Sequence, residues 1–278
     1  MTSRIPIKKV YIDSRFKTAN SASNSDFKFE LKESISLPDK VVMYIDDVIV
    51  PVSWFNIDDN NKYLYIRRFE DLTTTTTDVR ITLATSNHTA DTMLEALQTA
   101  LDAGFGADVF TATYDERKLT YTITPEPQSE IKVFTDAELL LGAVGCGWEG
   151  DAYDVNNINT ANEVFGIYTS SGAFTLANFE TSIIDLRRYH NIYISSPNLS
   201  SFSTLGPQGQ CNIIKKIPVS SEYGFTIIDN VIAPHDWIDV SKQLLKTLEF
   251  RLSDAYGKTI NLRGMPISFS LIFMSQDD

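Results

Sequence analysis

The sequence predicts a mainly β protein, a β sandwich whose chain is interrupted by a small inserted α+β domain. Three observations lead there. Short apolar runs, many alternating at period two, occupy both ends of the chain, as half-buried strands require. A single convincing helical stretch, residues 89–103, stands between them. An Asn-, Asp- and Gly-rich segment, residues 147–163, then reads as a linker or long loop. An insertion at an exposed loop costs little when the ends of the loop already lie close together. The expected division is residues 1–71 for the first part of the sandwich, 72–163 for the insertion and its linker, and 164–278 for the second part.

Taken in order, strands are predicted over residues 10–13, 27–31, 41–50 and 63–69, with a Ser/Asn-rich loop over 14–26. Pro51 should end the third strand, because proline has no N–H to give a sheet. After the threonine run 73–77 come a strand over 79–83 and the helix, with Met93, Leu94, Leu97, Ala100 and Leu101 on one face. Thr89 is its expected N-cap, Asp91 lies in its first turn, and Gly104 is its expected stop. A hairpin follows, Phe110, Ala112 and Tyr114 alternating on one arm and Leu119, Tyr121 and Ile123 on the other, with residues 115–118 as the turn. Thr135 and Glu138 have the spacing of a capping box and open a short helix over 139–141 that should stop at Gly142. β character returns over 164–168, 183–194, 211–218 and 225–231.

The closing stretch, "LEFRLSDAYGKTINLRGMPISFSLIF", is among the most regular. Leu248, Phe250 and Leu252 share one face, a turn follows at 254–257, and Ile267, Phe269, Leu271 and Phe273 alternate in the last run. These seven are the expected core of the strands that close the sandwich.

Composition excludes several classes. Hydrophobic content of 43% and charged content of 22% are those of a globular protein, and no apolar run approaches the ~20 residues of a membrane helix. The first residues, MTSRIPIKKVYIDS, show no apolar signal region, so a reducing compartment is expected. A net charge of −12 repels phosphate backbones and argues against nucleic-acid binding. The basic residues come in pairs (Lys8-Lys9, Arg67-Arg68, Arg187-Arg188, Lys215-Lys216), expected as solvated positions flanking strands.

Three groups of residues carry chemistry worth weighing. Cys211 in "GQCNII" partly echoes a papain-type nucleophile, with His235 as its base, but it opens a strand and lacks the motif that should follow. Asp151, Asp154, Asn156 and Asn157 are hard-cation donors without an EF-hand's spacing. Asp46-Asp47 could do acid–base work, yet in an apolar strand one should face outward and the other meet an arginine. Cys146 and Cys211 make no disulfide framework. His88 is placed to assist the helix cap and His190 lies beside a strand. No catalytic, cofactor or metal site is predicted.

Several segments in order, "VYIDSRFKTANSASNSDFKFEL", "VVMYIDDVIVPVSWFNID", "VRITLATSNHTADTMLEALQTAL", "RRYHNIYISSPNLSS", "GQCNIIKKIPVSSEYG" and the closing stretch above, together resemble the penton (minor capsid) proteins of virophages and of Polinton- or adinto-like viruses. The resemblance covers nearly the whole chain. It implies a single jelly roll with strands perpendicular to the tangent plane of a capsid and an inserted domain between early strands. It further implies a homopentamer closing each five-fold vertex beside double-jelly-roll major capsid trimers, located in the virion and made in the host cytoplasm. It brings no cofactor and no enzyme activity. An Arg-Gly-Asp loop is missing, so integrin-type binding does not carry over, and a host receptor is a partner for the inserted domain only. Trp54, Phe55, Tyr189, Tyr193 and Trp237 are the candidate interface anchors. The alternative is a β-sandwich receptor- or glycan-binding module of a viral or phage appendage.

Overall fold

The computed structural model describes residues 7–70, 75–140, 159–169, 177–200, 204–231 and 236–275. In chain order its elements are β1 (Lys8–Asp13), β2 (Asp26–Ser36), β3 (Val41–Pro51), β4 (Tyr63–Glu70), β5 (Thr75–Thr82), α1 (Ala90–Phe105), β6 (Phe110–Asp115), β7 (Thr120–Pro125), β8 (Glu130–Val133) and α2 (Asp136–Leu140). There follow β9 (Phe179–Glu180), β10 (Asn191–Ser195), β11 (Ile213–Pro218), β12 (Thr226–Asp229), β13 (Ile238–Asp239), β14 (Leu244–Ser253) and β15 (Ser268–Ser275). The chain divides into two compact units, one of Met1–Trp54 with Tyr189–Asp278, the other of Phe55–Arg188.

The first unit holds two antiparallel sheets. One has the order β1-β15-β3-β12, with β13 also on β3, and the other the order β11-β10-β14-β2. Setting the two-residue β13 aside, the first and last strands are neighbours, and each of the other early strands meets a late one across the winding. This is the winding of a jelly roll. β15 lies between β1 and β3, pairing Phe269 with Ile12 on one side and with Val48 on the other.

The core between the sheets is built from alternating positions. Leu248, Phe250 and Leu252 of β14, Ile267 before β15, and Phe269, Leu271 and Phe273 within it are all buried there. Phe250 meets Phe27 at a tilt with ring centres 5.5 Å apart and Phe269 edge-on at 4.9 Å, so one aromatic file joins both sheets. Ile260 and Leu262 are buried too, but in an irregular segment held by Ile260 N–H to Leu252 O (3.0 Å) and Ser25 Oγ to Ile260 O (2.5 Å).

The second unit packs α1 over β5 and β6, and has two three-stranded sheets, β5-β4-β8 and β6-β7-β9. Met93, Leu97, Ala100 and Leu101 bury the helix face against Ile81, Phe110 and Tyr121. Thr89 caps α1, accepting from Thr92 N–H, and the Thr92 hydroxyl bonds back to Thr89 N–H at 2.9 Å. Thr135 and Glu138 form the second capping box, Glu138 Oε2 accepting from Thr135 N–H at 2.9 Å.

Several expectations are corrected. The unit begins at Phe55, not 72, because β4 pairs with β5 and β8, and it runs to Arg188, not 163, because Val164, Phe165, Ile167 and Phe179 join its core. Residues 161–166 form turns rather than a strand. In the 183–194 stretch, strand pairing begins only at Asn191. Gly104 does not stop α1; Gly106 does, with φ of 102°. Gly104 is instead a packing position, where a Cβ would lie 2.9 Å from Val79 Cγ1. Leu119 sits in the hairpin turn with φ of 57°, exposed, rather than on an arm. The predicted ends of the second helix at Leu141 and Gly142, most of the 147–163 linker, and Cys146 lie outside the described residues.

Candidate interaction surface

Among the described residues, those singled out for chemistry do not assemble into a site. Cys211 lies on the loop before β11, half-buried, with its Sγ 3.4 Å from Gly209 O. His235 and the Asp151, Asp154, Asn156 and Asn157 group lie outside the described residues. No group of three His, Cys, Asp or Glu among the described residues could hold a metal ion. His88 is not part of the helix cap: its ring bonds Ala84 O at 2.7 Å, and its backbone is clasped by the Asn56 amide. A cavity of about 120 Å³ beside β10 and β14 is lined by Gln210, Asn212, Arg251, Asp254 and their neighbours, and by no aromatic ring.

The basic pairs are not all solvated. Arg67 makes two bonds to Asp78 (2.6 and 2.7 Å), Arg68 binds Glu70 and Glu126, and Lys215 is buried with its ammonium donating to Val231 O at 2.6 Å. In the second unit cations lie against rings on one side of the β5-β4-β8 sheet, where Tyr65, Phe134 and Leu139 form a small buried cluster: Arg80 lies 4.6 Å from the Tyr63 ring centre and Arg67 5.4 Å from that of Phe134.

The predicted interface anchors separate into two kinds. Trp54 and Tyr189 are core residues, in edge-on contact at 5.6 Å and buried in the single chain, so they cannot anchor another molecule. Phe55 and Tyr193 are half-buried, and Trp237 alone of the five is exposed, by 40%.

The two sheets of the jelly roll differ in what they turn outward. The β11-β10-β14-β2 sheet carries cross-strand ion pairs there: Lys28 with Glu249 (2.7 Å), Lys246 with Glu30 (3.4 Å) and Arg251 with Asp26 (3.1 Å). That is an ordinary solvated face. The β1-β15-β3-β12 sheet is different. Its neighbours in sequence point into the core, so Tyr11, Tyr44, Ile49 and Ile228 lie on the other side; Val42 and Ile272 share that side but are buried. Ile228 stands directly opposite Ile49, and Tyr11 and Ile228 are 72% and 67% exposed.

On this same face β3 bulges. The register moves from Phe269↔Val48 to Leu271↔Ile45, leaving Asp46 and Asp47 opposite Ser270 and both outside the core. The expectation of one outward carboxylate and an arginine partner is thus corrected: Asp46 meets Lys9 at 3.3 Å, and Asp47 Oδ1 is buried with no hydrogen-bond donor among the described residues. Neither Ile49 nor Ile228 was foreseen as a surface residue. Their signal was present in "VIV" and "TII", where consecutive apolar residues in a strand make both faces apolar.

A search of solved structures finds a match along the whole chain. The crystal structure of the selenomethionine-labelled mavirus penton protein superposes with a TM-score of 0.51 at 11% identity, covering 98% of this chain and 100% of that one. The chain has a penton protein's fold. No protein-family model matches it, and no curated protein does. At 11% identity the correspondence is one of fold. The penton resemblance read from the sequence and the jelly-roll assignment both agree with it.

Proposed function

We propose that this chain is a structural capsid protein, a penton whose five copies close each five-fold vertex of an icosahedral shell beside double-jelly-roll major capsid trimers. The observation that carries the reading is the end-to-end correspondence with the mavirus penton protein, which spans the jelly roll and the long excursion between β3 and β10 together. A sandwich alone would say little, because the jelly roll hosts many functions. The outward apolar face of the first sheet supports a protein that works in contact with other proteins. The role is non-enzymatic, the location is the virion after synthesis in the host cytoplasm, and a host receptor is assigned to the second unit.

Native mass measurement and negative-stain imaging test the reading, first on the purified protein and then on particles co-expressed with a major capsid protein. Five-fold particles or filled vertices are expected. A chain that yields neither five-fold particles nor vertex density under assembly conditions would overturn it.

A further inference from the structure

We propose that Lys215 and Asp229 join through an amide between their side chains, a cross-link that the folded chain forms by itself and that ties the two sheets of the jelly roll together. Strand register sets the two groups against each other. Lys215 stands opposite Ile194 in the β10–β11 pair, and Asp229 opposite Val48 in the β12–β3 pair. Ile194 and Val48 are core residues, so each sheet sends one of the two groups inward, where their side chains are only 6% and 9% exposed. Lys215 Nζ lies 3.8 Å from Asp229 Oδ2 and 3.5 Å from Asp236 Oδ2, and it donates to Val231 O at 2.6 Å. Asp229 Oδ1 accepts from Val231 N–H at 3.0 Å.

These are the groups that amide formation needs: an amine, a carboxyl acceptor, and a second carboxylate to carry protons. An ion pair taken out of water keeps its desolvation cost, whereas an amide carries no charge. Lys215 gives one proton to Asp229 Oδ2 by way of Asp236. The neutral Nζ then leaves Val231 O and closes on Asp229 Cγ to the ~3–3.5 Å of a near-attack arrangement. The Val231 N–H at Oδ1 stabilises the oxyanion of the tetrahedral adduct. Asp236 takes a second proton from the nitrogen and hands it to the departing hydroxyl. The Nζ–Cγ bond forms, the Cγ–Oδ2 bond breaks, one water leaves, and Asp236 ends as it began. The Asp236 side chain is 39% exposed, which gives the water a way out, while burial of Asp229 shelters the new bond from hydrolysis. The bond needs no second copy, so it stands apart from the vertex reading.

Denaturing mass spectrometry of the full wild-type chain reads the bond directly. The protein should be about 18 Da lighter than its sequence, the mass of one water. Trypsin cutting after Lys216 parts residues 189–216 from residues 217–242, and the two should remain joined as one branched peptide. Lys215→Met and Asp229→Ala should each restore the full sequence mass. Asp236→Asn should slow the loss of water by about a hundredfold or more, with thermal melts showing that it keeps the fold. The wild-type mass decides the matter even where a variant unfolds. Wild-type protein that holds its full sequence mass after prolonged incubation in the folded state would overturn the cross-link and leave Lys215 an ion-pair partner only. A mass loss that survives Lys215→Met, or that maps to other peptides, overturns it as well. An Asp236→Asn chain that loses water as fast as the wild type would overturn the role of Asp236.

Discussion

Replacing Gly104 with alanine sets two effects of opposite sign against each other. Glycine inside a helix is worse than alanine by about 0.5–1 kcal/mol, because its backbone loses more freedom on folding. At an open helix position Gly104→Ala would stabilise the protein by that amount. Here the new Cβ falls 2.9 Å from Val79 Cγ1 and 3.0 Å from Ile81 Cγ2. Both atoms are branches at the Cβ of β-branched residues, which have one strongly preferred rotamer and cannot swing aside. Forcing a methyl into such a contact costs about 1–3 kcal/mol. The steric effect wins, and the net result should be a destabilisation of about 1–2 kcal/mol. For a unit of this size that lowers its melting temperature by roughly 4–7 °C. Urea unfolding followed by far-UV circular dichroism measures it, with Val79→Ala and the double variant completing a cycle. In the Val79→Ala background the cost should shrink. A Gly104→Ala protein more stable than the wild type would refute the close approach of α1 to β5.

Other predictions follow the same logic. Phe269 is buried against Phe250, so Phe269→Ala should cost about 3–5 kcal/mol and Phe269→Asp should abolish folding of the jelly roll; a Phe269→Asp protein melting cooperatively near the wild type would disprove its placement. Burial foremost, then the neighbouring Tyr114 and Asp91, pushes the Tyr121 hydroxyl well above the usual tyrosine range. Both states keep that proton below about pH 10, and above it only the unfolded chain releases it, so stability should fall with rising pH by up to about 1.4 kcal/mol per unit. Tyr121→Phe should flatten that alkaline slope while losing about 1 kcal/mol at neutral pH with the bond to Ala90 O, and pH-dependent urea melts with equal slopes would count against the assignment. Thr89→Ala should cost about 1 kcal/mol and speed amide exchange in the first turn of α1; unchanged exchange there would mean the cap contributes nothing.

What the sequence determined alone is what local periodicity encodes. Period-two alternation placed Leu248, Phe250, Leu252, Phe269, Leu271 and Phe273 on common faces, and helical spacing with Thr89 before it located α1, because these patterns depend only on neighbours a few residues apart. Thr135 and Glu138 were legible for the same reason. Tertiary structure decided the rest. Whether β4 belonged to the sandwich or the second unit depended on its pairing with β5 and β8, and nothing within Tyr63–Glu70 specifies a partner. Trp54 and Tyr189 looked like anchors because they are large and lie near strand ends, but they are far apart in the chain and only the fold brings the rings together in the core. The outward apolar face was hidden in the same way. Tyr11, Ile49 and Ile228 sit in three strands distant in sequence, and they become one surface only when β15 enters between β1 and β3 and β12 returns to pair with β3. A face is a property of the sheet, and a sheet is made of contacts that no local stretch of sequence contains.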